Sequence, residues 1–264
     1  MHRILLAASA AIVLGWAGQA AAAPVGHVGA DYSRADLSLG SGDANADIWT
    51  GSGSVVFPAT ASLNIALDGA VQNFRADGES TTTENGTAHA DFHVGDNALA
   101  GGFVGFENSD NVTLWGAGVE GQYTGQMGGV VGQVGYGTSS DLNDADFWGE
   151  RVEGRFYGND NLRFAGHVGA LQIKGDGGDT SLWNAGVDAE YQFASAPVSV
   201  WGGYERSSWD DLDLTADVFS VGVRYNFGGS LRDRDVAGST MGSFGQLFGG
   251  NMGSAVVGIL GGAF

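Results

Sequence analysis

Residues 218–227, VFSVGVRYNF, place a large apolar side chain at every second position: Phe219, Val221, Val223, Tyr225 and Phe227. Ser220, Gly222, Arg224 and Asn226 stand between them. Successive side chains of a strand point to opposite faces, so this stretch is a strand with one broad oily face and one small, polar face. The same alternation predicts twelve strands, near residues 27–39, 46–57, 61–75, 84–94, 98–107, 112–123, 128–137, 146–157, 162–173, 181–193, 197–205 and 216–227. The mature chain has no run of the roughly 18 apolar residues a membrane helix needs. If it crosses a membrane, it does so as strands.

Two kinds of connection alternate between these segments. PAT, GDN, TGQM, GND and ASA are short, whereas ADGESTTTE, ENSDN, GTSSDLNDAD, KGDGGDT and ERSSWDDLDL are longer and mostly acidic. Even strand number with tight turns at one end and long loops at the other is the pattern of an up-and-down barrel in a membrane. Both chain ends then lie on the short-turn side. Ten or fourteen strands would follow if the first and fourth segments were misread.

Residues 1–23 read as a cleaved secretory signal: Arg3, the apolar run ILLAASAAIVLGWA, then small residues. The chain has no cysteine, which excludes a lipoprotein anchor, a disulfide framework and a thiolate metal site. Its net charge is −19, and loss of Arg3 with the signal makes it −20. That balance disfavours nucleic acid and anionic membrane surfaces as partners.

A weak repeat sets a length. LWGAGVEGQY, FWGERVEGRF and LWNAGVDAEY each carry an aromatic residue eight positions after a tryptophan: Trp115 and Tyr123, Trp148 and Phe156, Trp183 and Tyr191. Trp49 with Phe57 and Phe219 with Phe227 share the step. Eight residues advance about 26 Å along a strand, or roughly 20 Å along a membrane normal at about 40° of tilt. This is close to the height of the apolar band between two aromatic girdles. The fold predicted is therefore all-β, a closed antiparallel transmembrane barrel over residues 24–227, because only closure pairs every backbone group in lipid.

In its architecture, girdle spacing and the aromatic-ended stretch 218–227, the chain resembles the bacterial outer-membrane β-barrel and porin-like proteins, over about residues 27–227. The resemblance implies insertion in the outer membrane, with lipid around the barrel, and passive movement of small polar solutes or ions through it. Closing strands of such barrels usually end the chain; here 37 residues follow Phe227.

The repeat also places inward positions. Glu120, Glu153, Asp188 and Arg224 share one expected height, and Gln122, Arg155 and Glu190 another. Arg151, Arg163 and His167 add positive charge. These ten are the expected pore-lining residues. Twelve strands at about 4.8 Å spacing and about 40° tilt give a wall radius of roughly 12 Å, so side chains can leave a channel or fill it. Charges on such a wall select solutes, or they bridge neighbouring strands without conducting anything.

HADFH puts His89, Asp91 and His93 on one face of the fourth segment, donor types that suit a transition metal, but no fourth ligand is evident, and the sequence predicts polar lining rather than a metal site or cofactor. A lipid-hydrolase reading would need a serine beside a histidine; Ser199 and His167 fall on segments separated by a third, so no enzyme is expected. Asp141, Asp144, Asp146, Asp210, Asp211 and Asp213 crowd the long loops and read as a solvated surface. Residues 228–264 are glycine-rich and predict a disordered periplasmic tail, with a lumen plug, a segment packed under the barrel or a partner-binding segment as the alternatives. The leading expectation is a porin-like channel with a mild preference for cations. The competing one is a closed barrel serving structure or interaction without transport. Nothing in the sequence identifies an oligomer interface.

Overall fold

The computed structural model describes residues 23–250, save 41, 77, 110–111, 143–144, 176–177, 210–212 and 239. The expected signal at 1–23 lies almost wholly outside the described residues, as do Asp144, Asp210 and Asp211.

Twelve strands close into one antiparallel barrel: β1 Val25–Leu39, β2 Gly42–Pro58, β3 Leu63–Ala76, β4 Glu79–His93, β5 Ala98–Ser109, β6 Val112–Thr124, β7 Gly128–Ser139, β8 Ala145–Asn159, β9 Leu162–Gly175, β10 Gly178–Gln192, β11 Val198–Trp209 and β12 Leu214–Phe227. Each strand pairs with its sequence neighbours, and β1 pairs with β12 from Gly26 opposite Phe227 to Leu39 opposite Leu214. No sheet edge remains, so the ladder has no open row of backbone groups to offer another chain.

Three of the five connections expected to be long contain only two residues. Where the sequence predicts ADGESTTTE as a loop, β3 and β4 continue to Ala76 and Glu79 and leave only residues 77–78 between them. Residues 176–177 join β9 to β10 in the same way. The polar residues taken for loop continue the ladder instead, because hydrogen bonding to a neighbouring strand satisfies their backbone whether or not lipid lies outside.

What changes along each strand is which face is oily. In β12 the outward residues Phe219, Val221 and Val223 are exposed while Ser220, Gly222 and Arg224 turn inward. Beyond Phe219 the phase inverts: Leu214, Ala216 and Val218 are buried inside, and Thr215 and Asp217 face out. β2 inverts at Trp49, with Ile48 and Ala46 inside and Asp47 outside. β8 inverts at Trp148, with Phe147 and Ala145 inside and Asp146 outside. One half of the barrel thus has an oily outside and a polar lumen. The other half, beyond the tryptophans, has a polar outside and an oily interior. An oily exterior suits lipid and a polar one suits water, so the tryptophan level marks a membrane–water boundary. Glu150 breaks the pattern as an exposed outward charge one step inside Trp148, close enough to the boundary for the cost to be small.

The oily interior is continuous. Ala35, Ile48, Leu114, Phe147, Leu171, Leu182, Trp209 and Val218 belong to one buried cluster, joined by Leu142 from a single 3₁₀ turn, Ser140–Leu142.

Residues following β12 do not hang free. α1, Leu231–Val236, and α2, Phe244–Gly249, lie against the lumen side of the wall. This corrects the expectation of a disordered tail for residues 228–250; residues 251–264 lie outside the described residues. Glycine content argues against free helices, but each of these is short, capped and packed. Ser230 caps α1 with Asp233 reciprocating, and Ser243 caps α2 with Gln246, two capping boxes that satisfy orphan amides at each start.

Candidate functional site in the barrel lumen

α1 sits at the end of the lumen that the tail enters. Arg232 donates to the carbonyl of Gly125, in the turn between β6 and β7, at 3.1 and 3.2 Å. Arg234 donates to both carboxylate oxygens of Glu190 on β10, and to Asn226 on β12 at 2.6 Å. Asp235 accepts from Tyr157 at 2.9 Å and from Arg163 at 3.3 Å, while the Gln122 amide donates to its carbonyl. Arg234 and Asp235 are both buried. Burial alone would push the Asp235 carboxyl up, but Arg163, Arg155 and Arg234 outweigh it and hold it below the usual carboxylate range.

α2 crosses at the height of the outer tryptophans. Its Phe244, Leu247 and Phe248 are buried and complete the apolar cluster. The inward glycines next to the girdle make the room. A Cβ on Gly105 would lie 2.7 Å from Phe244, on Gly135 2.8 Å from Leu247, and on Gly149 3.1 Å from Leu247. A wall of twelve strands leaves a core too wide for its own side chains to meet everywhere, and α2 fills that space.

The ten sequence-named lumen residues all project inward, and most bond to one another or to the tail. Arg151 and Arg155 bracket Glu153 at 2.6 and 2.7 Å. Arg155 also donates to Thr240 Oγ1 at 3.0 Å and to the Thr240 carbonyl. Arg163 reaches Asp188 and Glu190 at 3.4 and 3.3 Å. Arg224 donates to Glu190 at 2.6 Å and stacks 4.8 Å from the Trp201 ring. Glu120 accepts from Gln133 and contacts His89, and Gln122 meets α1. His167 contacts Glu205 at 2.8 Å. The ten girdle residues, Trp49, Phe57, Trp115, Tyr123, Trp148, Phe156, Trp183, Tyr191, Phe219 and Phe227, face outward.

Several assignments differ from the sequence reading. His93 is exposed at the end of β4 and does not join His89 and Asp91, which are buried. Glu120, two strands away, takes its place, and Asp68 adds a second carboxylate. Ser199 donates to Glu190 at 2.6 Å and accepts from Asn226, so its hydroxyl is engaged away from any histidine. Sequence reasoning passed over Arg234 and Asp235, although SLRD and SFGQ carry capping-box spacing.

Between α1, α2 and the walls of β1–β4 and β8–β12 runs a cleft of about 190 Å³, bordered by Asp31, Asp68, Arg151, Asp188 and Arg224. None of its lining residues belongs to the apolar cluster, so it stops beneath that layer.

No family model and no curated protein matches the sequence. Solved structures do share the fold. An outer-membrane channel from Pseudomonas putida F1 superposes with a TM-score of 0.58 at 14% identity, covering 77% of this chain and 96% of that one. The translocator domain of the autotransporter NalP from Neisseria meningitidis gives 0.55 at 11% identity, covering 84% and 94%. The KdgM porin, solved with disordered oligogalacturonate, gives 0.51 at 11%, covering 76% and 100%. The similarity is one of fold, that of bacterial outer-membrane β-barrels, porins among them.

Proposed function

We propose that this chain, built on the fold of the bacterial outer-membrane β-barrels, is an outer-membrane channel for small hydrophilic solutes that its own C-terminal segment holds closed. The observation that carries the reading is the seating of that segment. Arg234 and Asp235 form buried ion pairs with Glu190 and Arg163 on the wall, and α2 rests on glycines that leave room for it. The wall behind the segment carries Glu120, Gln122, Arg151, Glu153, Arg155, Arg163, His167, Asp188, Glu190 and Arg224, a set suited to line a hydrated path once the segment withdraws. The chain's acidic balance favours cations mildly over anions in that state. Lipid surrounds the girdle, and the barrel is read as non-catalytic and without a cofactor.

A second reading, a permanently closed barrel with a structural or interaction role, is favoured by one observation. Most of the apolar cluster across the outer lumen comes from the strands themselves and not from the tail. Planar-bilayer recording separates the two. The intact protein is expected to be silent, and a variant with the segment displaced, such as Arg234→Glu with Leu247→Asp, to give sustained steps. In that background Asp188→Lys should move the reversal potential toward anions. Silence of the displaced variant, inserted and heat-modifiable on gels, would leave the closed barrel.

A further inference from the structure

His89 on β4 makes two short contacts with carboxylates. Its Nε2 lies 2.6 Å from Asp68 Oδ2 on β3, and its Nδ1 lies 2.6 Å from Glu120 Oε1 on β6. Asp91, two residues along β4, brings a third carboxylate. One donor atom each from His89, Asp91 and Glu120 falls within 4.8 Å of the others, and all three residues are buried. Among the described residues no arginine or lysine forms an ion pair with Asp68, Asp91 or Glu120. Glu153 and Glu190, elsewhere in the lumen, each face at least two arginines. Three carboxylates against a single imidazole leave a buried excess of negative charge, which is costly without a compensating cation.

A further observation points the same way. Asp91 is 1% exposed, yet its Oδ1 has no hydrogen-bond partner among the described residues, and the buried Asp68 Oδ1 has none either. Buried carboxylate oxygens normally find donors. The cleft reaches this place, since both His89 and Asp68 border it, so a hydrated ion has a route in.

We propose that His89 Nδ1, Asp91 and Glu120 hold a divalent transition-metal ion of the zinc class, with Asp68 orienting His89 through its Nε2–H. A carboxylate on the far nitrogen of a ligating histidine fixes the tautomer that leaves the near nitrogen free to bind. Phe103, 6.0 Å from the imidazole, helps to hold the ring in place. Zinc bonds of about 2.0–2.2 Å in a tetrahedron place donors roughly 3.3–3.6 Å apart. The His89–Glu120 edge, 2.6 Å long, must therefore open by about an ångström to admit the ion. A fourth position is left for water from the cleft. Glu120 Oε2 also accepts from Gln133, whose Nε2 donates to the carbonyl of Gly242 between α1 and α2, so an ion here would brace the tail against the wall. The site stands whether or not the barrel conducts.

The test is titration of zinc chloride into the full-length protein in detergent, followed calorimetrically, with cobalt(II) absorption as a second readout. One ion per chain is expected, with the intense visible bands of four-coordinate cobalt. His89→Ala and Glu120→Gln should each weaken binding at least a hundredfold, and Asp68→Asn by about 10- to 100-fold. His167→Ala, a histidine paired with Glu205 elsewhere in the lumen, should leave binding unchanged. Each variant is first checked for heat-modifiable gel mobility. Where His89→Ala does not fold, Asp91→Asn, which leaves the His89 contacts in place, is expected to abolish the cobalt bands. Absence of binding to the folded wild type, or equal binding by folded His89→Ala or Asp91→Asn, would overturn the assignment.

Discussion

Arg234 and Glu190 meet end to end: Nη1 donates to Oε1 at 3.1 Å and Nη2 to Oε2 at 2.9 Å, with both side chains buried. The pair joins residues 44 positions apart and couples the C-terminal segment to the wall of β10. Glu190 is shared, since Arg224 and Arg163 also reach Oε2. Its carboxylate is thus the hub on which three guanidinium groups depend.

Removing one member of a buried pair costs about 3–5 kcal/mol, because the remaining charge stays buried. Glu190→Gln should be the more damaging change, as it takes a shared carboxylate from three arginines at once, of which Arg163 and Arg234 keep Asp235. Arg234→Met leaves Glu190 with two partners and should loosen the tail more than the barrel. Limited proteolysis within residues 228–250 reads the first effect, and the temperature of the gel-mobility shift reads the second. Equal effects of the two variants on both readouts would contradict this hierarchy.

Asp235 gives the docking a pH limit. Its carboxyl is held below the usual range when docked, against about 3.9 when free. A depressed native pKa contributes stability that is complete above the free value and is lost as pH falls through the docked one. Tail protection should therefore be flat from neutral down to about pH 4 and fail only in stronger acid. Asp235→Asn should lower protection at neutral pH and flatten the acid limb. Loss of protection already near pH 6 in the wild type would show that another group governs docking.

Much of the barrel is legible in the sequence because a strand in lipid has only one way to distribute its side chains. The eight-residue step from Trp148 to Phe156 is a membrane thickness written in residues. The outer half is harder to read, since there the same strands carry oil inside and polar groups outside. Asp217, Val218 and Phe219 span that change of phase within three residues, and averaged alternation reads them as the end of a strand. The tail was hidden for a different reason. SLRDRDV and SFGQLFG are too short to signal helices by periodicity. Their fold depends on arginines and glycines contributed by strands 72 or more residues earlier, which no local pattern exposes. The His89 cluster is non-local in the same way, for Glu120 reaches it only through closure of β4, β5 and β6.

The change of phase itself can be tested at Val223 and Trp209. Val223 faces outward midway between Phe219 and Phe227, so Val223→Arg places a charge at the centre of the apolar band and should cost about 2–4 kcal/mol. Trp209 is 1% exposed inside the outer half, and Trp209→Ala should cost about 3–5 kcal/mol through lost packing. Urea midpoints after folding into vesicles measure both. A neutral Val223→Arg would mean that this face does not touch hydrocarbon.

The glycine seat offers the most direct test of the plug. At Gly149 the three nearest neighbours of an added Cβ all belong to α2: Leu247 Cγ at 3.1 Å, the Leu247 carbonyl at 3.1 Å and Phe248 Cε1 at 3.2 Å. A larger side chain there strikes the tail before it strikes the wall. Gly154, on the outward face of the same strand, has nothing within 4 Å. Gly149→Leu should therefore displace α2, raise protease sensitivity of the tail and leave the barrel heat-modifiable, whereas Gly154→Leu should do none of these. Shortening the partner restores part of the space, so Leu247→Ala added to Gly149→Leu is expected to recover part of the protection that Gly149→Leu alone loses. If Gly149→Leu leaves the tail as protected as the wild type, α2 does not rest on this wall in the membrane, and closure of the lumen falls to the strands alone.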